Sequence, residues 1–246
     1  MEIKNLDLQF LKSKTVLITG SSKGIGQALA EKLLDLGNIV IGTSRNLKSL
    51  ETLTKKFNRN FYPMELNLNS STSIVSLSNE LSRKFEKIDV VVCNAGVLGE
   101  LKNIEEYNYE TWCDTININL NNQFLLIQSL LSSLKKSKKG SIVIISSSVG
   151  QKPREGWGAY SISKLGMEGL STILAQELKD SGIIVNTVNP GGTATSMRRQ
   201  AMPNEDQSKI PQPKDILPIL LYLCSNIAHE TSQSFNARDF IDHLKF

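Results

Sequence analysis

Two rhythms of apolar residues alternate along this chain. Short continuous runs rich in Val and Ile are each followed by longer stretches whose apolar residues recur three and four apart. The runs read as parallel strands buried on both faces, and the longer stretches as helices. The runs cover 14–19, 38–43, part of 61–68, 88–93, 141–145 and 183–188. Helices are expected over 27–36, where Ile25, Leu29, Leu33 and Leu36 share a face and Gly37 is a stop, and over 47–57. Another is expected over 71–85, with Ile74, Leu77, Leu81 and Phe85 in register. The stretch 107–134 is also helical by pattern. Its middle holds Asn117, Asn119, Asn121 and Asn122, and asparagine competes for backbone hydrogen bonds, so a kink or a polar role is expected there. A further helix carries Tyr160 and runs to about Asp180. A final amphipathic one spans 214–225, where Pro218 is tolerable only near the first turn.

Residues 1–13 form an N-terminal extension, and the tail 226–246 has no clear period. The polar segment 193–212, with Pro203 and Pro211, reads as a flexible lid. Strand and helix alternate without a linker or a repeat. This predicts an α/β fold in one domain over 1–246: a Rossmann-type doubly wound parallel sheet with helices on both faces. Such sheets bind ligands beyond the carboxyl ends of their strands. The polar motifs at 20–26, Arg45, Asn67, 94–96, Ser147 and 190–192 all follow strand ends, so they are expected to form one site.

Composition narrows the class. The 246 residues, 40% hydrophobic and 21% charged, suffice for a sizeable core. The net charge of +4 is spread out and aromatics are only 6%, which argues against nucleic acid as a partner. The cluster Lys135, Lys136, Lys138 and Lys139 falls between a helix and a strand and reads as a solvated turn. Cys93, Cys113 and Cys224 form neither a disulfide framework nor a metal spacing, so a reducing cytoplasm is expected. With only His229 and His243, a histidine triad or a multi-His metal site is disfavoured. Residues 1–10 do not read as a signal peptide. No run of about 18 apolar residues exists, so no membrane span is expected.

Candidate chemistry starts at the turn Gly20-Ser21-Ser22-Lys23-Gly24-Ile25-Gly26. Between a strand and a helix, such a turn can offer backbone N–H groups to a pyrophosphate. At the end of the second strand, where a ribose would lie, there is no carboxylate. Arg45 stands there, with Lys23 near. Two cations and no anion suit a 2′-phosphate, hence NADP(H) over NAD(H), unless both are simply solvated. Tyr160 and Lys164 lie one helical turn apart. A nearby ammonium would lower the tyrosine pKa and make it a general acid/base, although a bare pair of this kind is commonly surface decoration.

Read together, these motifs resemble the short-chain dehydrogenase/reductase family, single-domain type, from about Lys14 to Ser225. Thr19 to Gly26 is similar to its TGxxxGxG loop, and Cys93-Asn94-Ala95-Gly96 to its NNAG motif with cysteine first. Asn119 follows Trp112 at the active-site asparagine spacing. Ser147 precedes Tyr160 by thirteen residues, Tyr160 and Lys164 match YxxxK, and Pro190-Gly191 with Thr195 matches PG…T. The resemblance implies a hydride transfer between nicotinamide and a carbonyl or secondary alcohol. Tyr160 would be the general acid/base, with Lys164 lowering its pKa and holding the ribose. Ser147 would hydrogen-bond the substrate oxygen, and Asn119 would hold a relay water. It also implies a cofactor set of Gly20, Ser22, Lys23, Gly24, Ile25, Gly26, Arg45, Asn67, Leu68, Asn94, Ala95, Gly96, Tyr160, Lys164, Pro190, Gly191, Thr193 and Thr195, and a homodimer or homotetramer.

Ser146 and Ser148 are rival serines that strand alternation would turn away. Asn67 replaces a common aspartate, Asn122 a common glycine, and the tail lacks the usual glycine-rich ending. Substrate contacts are expected from 97–105, 151–158 and 193–212. Trp157 is either an apolar wall or packing for the helix start, and Arg154, Arg198 and Arg199 are either anion readers or solvated. A catalytically silent nucleotide sensor, or a lyase or epimerase on the same fold, are the alternatives.

Overall fold

The computed structural model describes Leu11 and residues 13–243, so the N-terminal extension lies outside it except for Leu11 and Ser13. Seven strands form one sheet in the order β3-β2-β1-β4-β5-β6-β7, and every neighbouring pair is parallel. They are β1 (Thr15–Ile18), β2 (Ile39–Ser44), β3 (Phe61–Glu65), β4 (Val90–Cys93), β5 (Gly140–Ile145), β6 (Ile183–Asn189) and β7 (Ser234–Asn236). Parallel neighbours need crossovers, and the intervening helices supply them on both faces.

The period-2 pleat explains why the strand runs are apolar throughout. Val16 and Ile18 enter one core and Leu17 the other; Val90 and Val92 oppose Val91 and Cys93 in the same way. The first core is covered by α1 (Gly24–Asp35) and α2 (Glu51–Lys56). The second is covered by α3 (Ser71–Lys84), α5 (Asn122–Lys135) and α7 (Gly158–Glu177), through Ile74, Leu77, Leu81, Leu126, Leu130, Leu134, Met167 and Leu174. Each such fully buried side chain contributes about 1.5–3 kcal/mol. Two short helices, α6 (Ser148–Gln151) and α8 (Ser196–Ala201), lie after β5 and β6.

One expectation is borne out and others change. The stretch 107–134 is α4 (Tyr109–Ile116), one π-helical turn (Asn117–Asn121) and α5, so the asparagines do mark an irregularity. The last helix, α9 (Leu217–Cys224), is buried on all sides, not amphipathic, with Pro218 in its first turn. It is enclosed by α1, β5 and the 3-10 turn Ala237–His243. The tail is the reason: it adds β7 beside β6 and then folds back over α9. Finally, the lid is tied down. It contains α8, capped by Thr195 Oγ1 accepting from Arg198 N–H at 3.1 Å, and Ala194 N–H donates to Pro211 O across its base at 2.9 Å. Among the described residues no helix is long and apolar enough to cross a membrane.

Candidate active site

Strand order reverses between β1 and β4, and there the chain leaves the sheet in opposite directions. A cleft of about 560 Å³ opens at that edge. It brings together Gly20, Ser22, Lys23, Gly24, Ile25, Arg45, Asn67, Leu68, Asn94, Ala95, Gly96, Ser147, Tyr160, Lys164, Pro190, Gly191, Thr193 and Thr195. Gly26 and Asn119 are not in its lining; both are buried just behind it.

The glycine turn is built for close approach. Gly20 and Gly24 have φ of +69° and +61°, which a side chain would strain. A Cβ on Gly26 would stand 2.5 Å from Gly20 O and from Asn94 Nδ2. Asn94 Nδ2 itself donates to Thr19 O at 2.8 Å and Gly20 O at 3.1 Å, so β4 holds the loop after β1. No side chain caps the start of α1, and its first turn has no acidic residue. By contrast, α3 and α4 are capped by Ser70 and Asn108. The N–H groups and positive dipole end of α1 are therefore left open to the cleft. Lys23 and Arg45 are exposed at its rim, and among the described residues neither has a carboxylate partner. Asn67 Oδ1 accepts from Asn69 N–H at 3.0 Å. Asn122 Nδ2 donates to Leu68 O at 2.6 Å and ties the start of α5 to the loop after β3.

At the other end, Lys164 is buried and its Nζ donates to Ile145 O at 2.7 Å, 5.8 Å from the Tyr160 ring centre. Burial holds its pKa down to about 8. Burial also pushes the Tyr160 phenol above its ordinary value, and a hydrogen bond with Ser147 pulls it back in part. In the chain alone, desolvation by burial is the largest influence on both groups. Asn119 is committed elsewhere too. Its Oδ1 accepts from Val97 N–H and its Nδ2 donates to Val97 O, both at 2.8 Å, with Ser163 Oγ at 3.2 Å. The side chain pins the segment after β4 against the π turn.

The rival serines separate by structure. Ser147 caps α6 and Ser148 begins it, while Ser146 Oγ turns away to donate to Glu168. Trp157 lines the cleft and lies 5.9 Å from the Tyr160 ring, so it serves as wall and as packing together. Around it, Leu98, Val149, Met197 and Ala201 make an apolar patch against Tyr160. Their long-range convergence has no local sequence signal beyond their loops. Of the three loop arginines, only Arg198 lines the cleft, and Glu205 holds it in two hydrogen bonds of 2.6 and 2.5 Å. Arg154 and Arg199 are exposed. From the tail, Arg238 Nη2 donates to Gly192 O at 2.8 Å and lies against Gly191.

Residues 14–206 match the family model for short chain dehydrogenase. The chain belongs to that family. This short-chain dehydrogenase is 36% identical over 235 residues to the uncharacterised oxidoreductase YciK of Escherichia coli K12, covering 93% of each chain. It is 34% identical over 240 residues to the 3-oxoacyl-[acyl-carrier-protein] reductase FabG of Aquifex aeolicus, covering 93% of this chain and 94% of the relative. Among solved structures, a short chain dehydrogenase from Shigella flexneri in complex with NADP superposes with a TM-score of 0.89 at 36% identity, over 94% of this chain and 99% of that one. One from Escherichia coli CFT073 in complex with NADPH gives the same four values.

Proposed function

We propose that this short-chain dehydrogenase is an NADP(H)-dependent oxidoreductase that interconverts a carbonyl and a secondary alcohol. The observation that carries the reading is the juxtaposition, in one cleft, of an uncapped helix start beside Gly20, Gly24 and Gly26 with Ser147 and the buried Tyr160 and Lys164. The cleft suits the cofactor: the glycine turn leaves room where side chains would clash, and the open N–H groups of α1 suit a pyrophosphate. Lys23 and Arg45 suit a 2′-phosphate, and the two neighbours that carry NADP or NADPH support the choice.

When bound, the nicotinamide supplies the hydride. The chain's own residues do the rest. Tyr160, a phenol protonated at neutral pH, donates its proton to the carbonyl oxygen. Ser147 hydrogen-bonds the same oxygen where negative charge develops. Lys164 holds the ribose hydroxyls and keeps one donor on Ile145 O. Asn119 shapes the segment after β4 through its two hydrogen bonds with Val97. The patch of Leu98, Val149, Trp157, Met197 and Ala201 excludes water beside the reacting carbon.

A panel of aldehydes and ketones, followed by NADPH absorbance, tests this: turnover with at least one member is expected. Tight NADPH binding without turnover on any member would favour the silent sensor instead. Arg45→Asp is expected to raise the NADPH Kd about 10- to 100-fold and to leave NADH within about threefold, because it replaces a phosphate partner by a like charge. An unchanged ratio of the two constants, measured by fluorescence titration, would remove Arg45 from the cofactor assignment.

A further inference from the structure

One charged group near the active centre is unused by this mechanism. Glu168 lies on α7 one turn beyond Lys164, so Tyr160, Lys164 and Glu168 form one stripe at i, i+4 and i+8. Hydroxyls from three strands' ends converge on its carboxylate. Ser146 Oγ donates to Oε1, Thr187 Oγ1 to Oε2 at 2.7 Å, and Ser234 Oγ to Oε1 at 3.3 Å. Gln151 Nε2 of α6 in turn donates to Ser234 Oγ at 2.7 Å. The carboxylate thus joins the residue before Ser147, the helix of Tyr160 and Lys164, the next strand, and the tail strand β7.

We infer that Glu168 is a positioning residue, which fixes the Ser146–Ser147 segment through its hydroxyl contacts and serves as the counter-charge of the buried Lys164. The inference rests on the roles given to Ser147, Tyr160 and Lys164 above. The groups facing Lys164 leave this place to Glu168. Ile145 O from β5 is neutral, and Tyr160 is a buried phenol. Cys93 from β4 would attract the ammonium only as a thiolate, and burial pushes its pKa up to about 12. Asn119, from the π turn, carries no charge. Glu168 is the remaining group that raises the Lys164 pKa against the burial that lowers it. As an ammonium, Lys164 has three donors and no lone pair, which the carbonyl and a ribose diol both require.

Glu168→Gln separates the two parts. Glutamine keeps the size, still accepts from Ser146 and can donate to Thr187, but it removes the charge. The carboxylate's effect on Lys164 is to raise its pKa, so its loss lets Lys164 deprotonate at lower pH. The basic limb of kcat/KM and the weakening of NADPH binding at high pH both move to lower pH. The ratio of activity at pH 6.5 to that at pH 8.5 grows about three- to tenfold over the wild type. Glu168→Asp keeps the charge and shortens the reach. It is expected to leave the basic limb in place and lower kcat about tenfold through the loosened Ser147 segment. If the Glu168→Gln profiles superimpose on the wild type in both measurements, the counter-charge role is wrong; should Glu168→Gln not fold, the Glu168→Asp split between limb and kcat decides. If Tyr160→Phe is fully active, the underlying assignment fails instead, whatever Glu168→Gln does.

Discussion

Tyr160→Phe is expected to lower kcat for carbonyl reduction about 1,000-fold, in the range that positioned general acids contribute. NADPH affinity is expected to stay within about twofold. The substitution removes one hydroxyl and keeps the ring, so the contacts with Trp157, Leu98 and Val149 persist. Ser147 loses its partner, and stability falls by about 1 kcal/mol. Stopped-flow absorbance for turnover and fluorescence titration for binding separate the two effects. A variant that reduces carbonyls as fast as the wild type would show that the proton comes from elsewhere.

The second large effect concerns the cradle. Gly26→Ala adds one methyl where Gly20 O and Asn94 Nδ2 each stand 2.5 Å away. Neither is the end of a flexible chain: one is backbone, and the other is pinned to Thr19 O and Gly20 O. The loop must shift, at about 1–3 kcal/mol, and the NADPH Kd rises about 10- to 100-fold. Gly169→Ala is the contrast. It lies in α7, with nothing within 4 Å of an added Cβ, and is expected to gain about 0.5–1 kcal/mol of stability with cofactor binding unchanged. Loss of binding in both variants would mean that the first effect is not local crowding.

How far the sequence carries can be judged from particular elements. The first six strands were legible because burial on both faces makes each an apolar run. The seventh was not, since Ser234-Phe235-Asn236 is short and two of its three residues are exposed. It is defined by its pairing with β6, which no local pattern encodes. The same long-range packing turned an apparently amphipathic α9 into a buried one. Within the site, fixed spacings located Ser147, Tyr160 and Lys164. Glu168 gave no signal, because a glutamate in a helix is ordinary until three hydroxyls are found around it. The shift of Tyr160 depends on how deeply it is buried, which the spacing of Tyr160 and Lys164 does not encode.

The hydrogen bond from Arg238 to Gly192 O spans 46 positions in the chain. Synthesis proceeds from the amino end, and structure can form as the chain emerges. A nascent chain that has completed the glycine turn, the tyrosine helix and the loop after β6 still lacks this clasp and the strand that delivers it. Early-made parts of the cleft therefore wait for late-made ones, and a ribosome stalled before residue 238 holds a nucleotide site with one wall unfastened. Tying the loop after β6 to the tail thus couples an early-made part of the cleft to a late-made one.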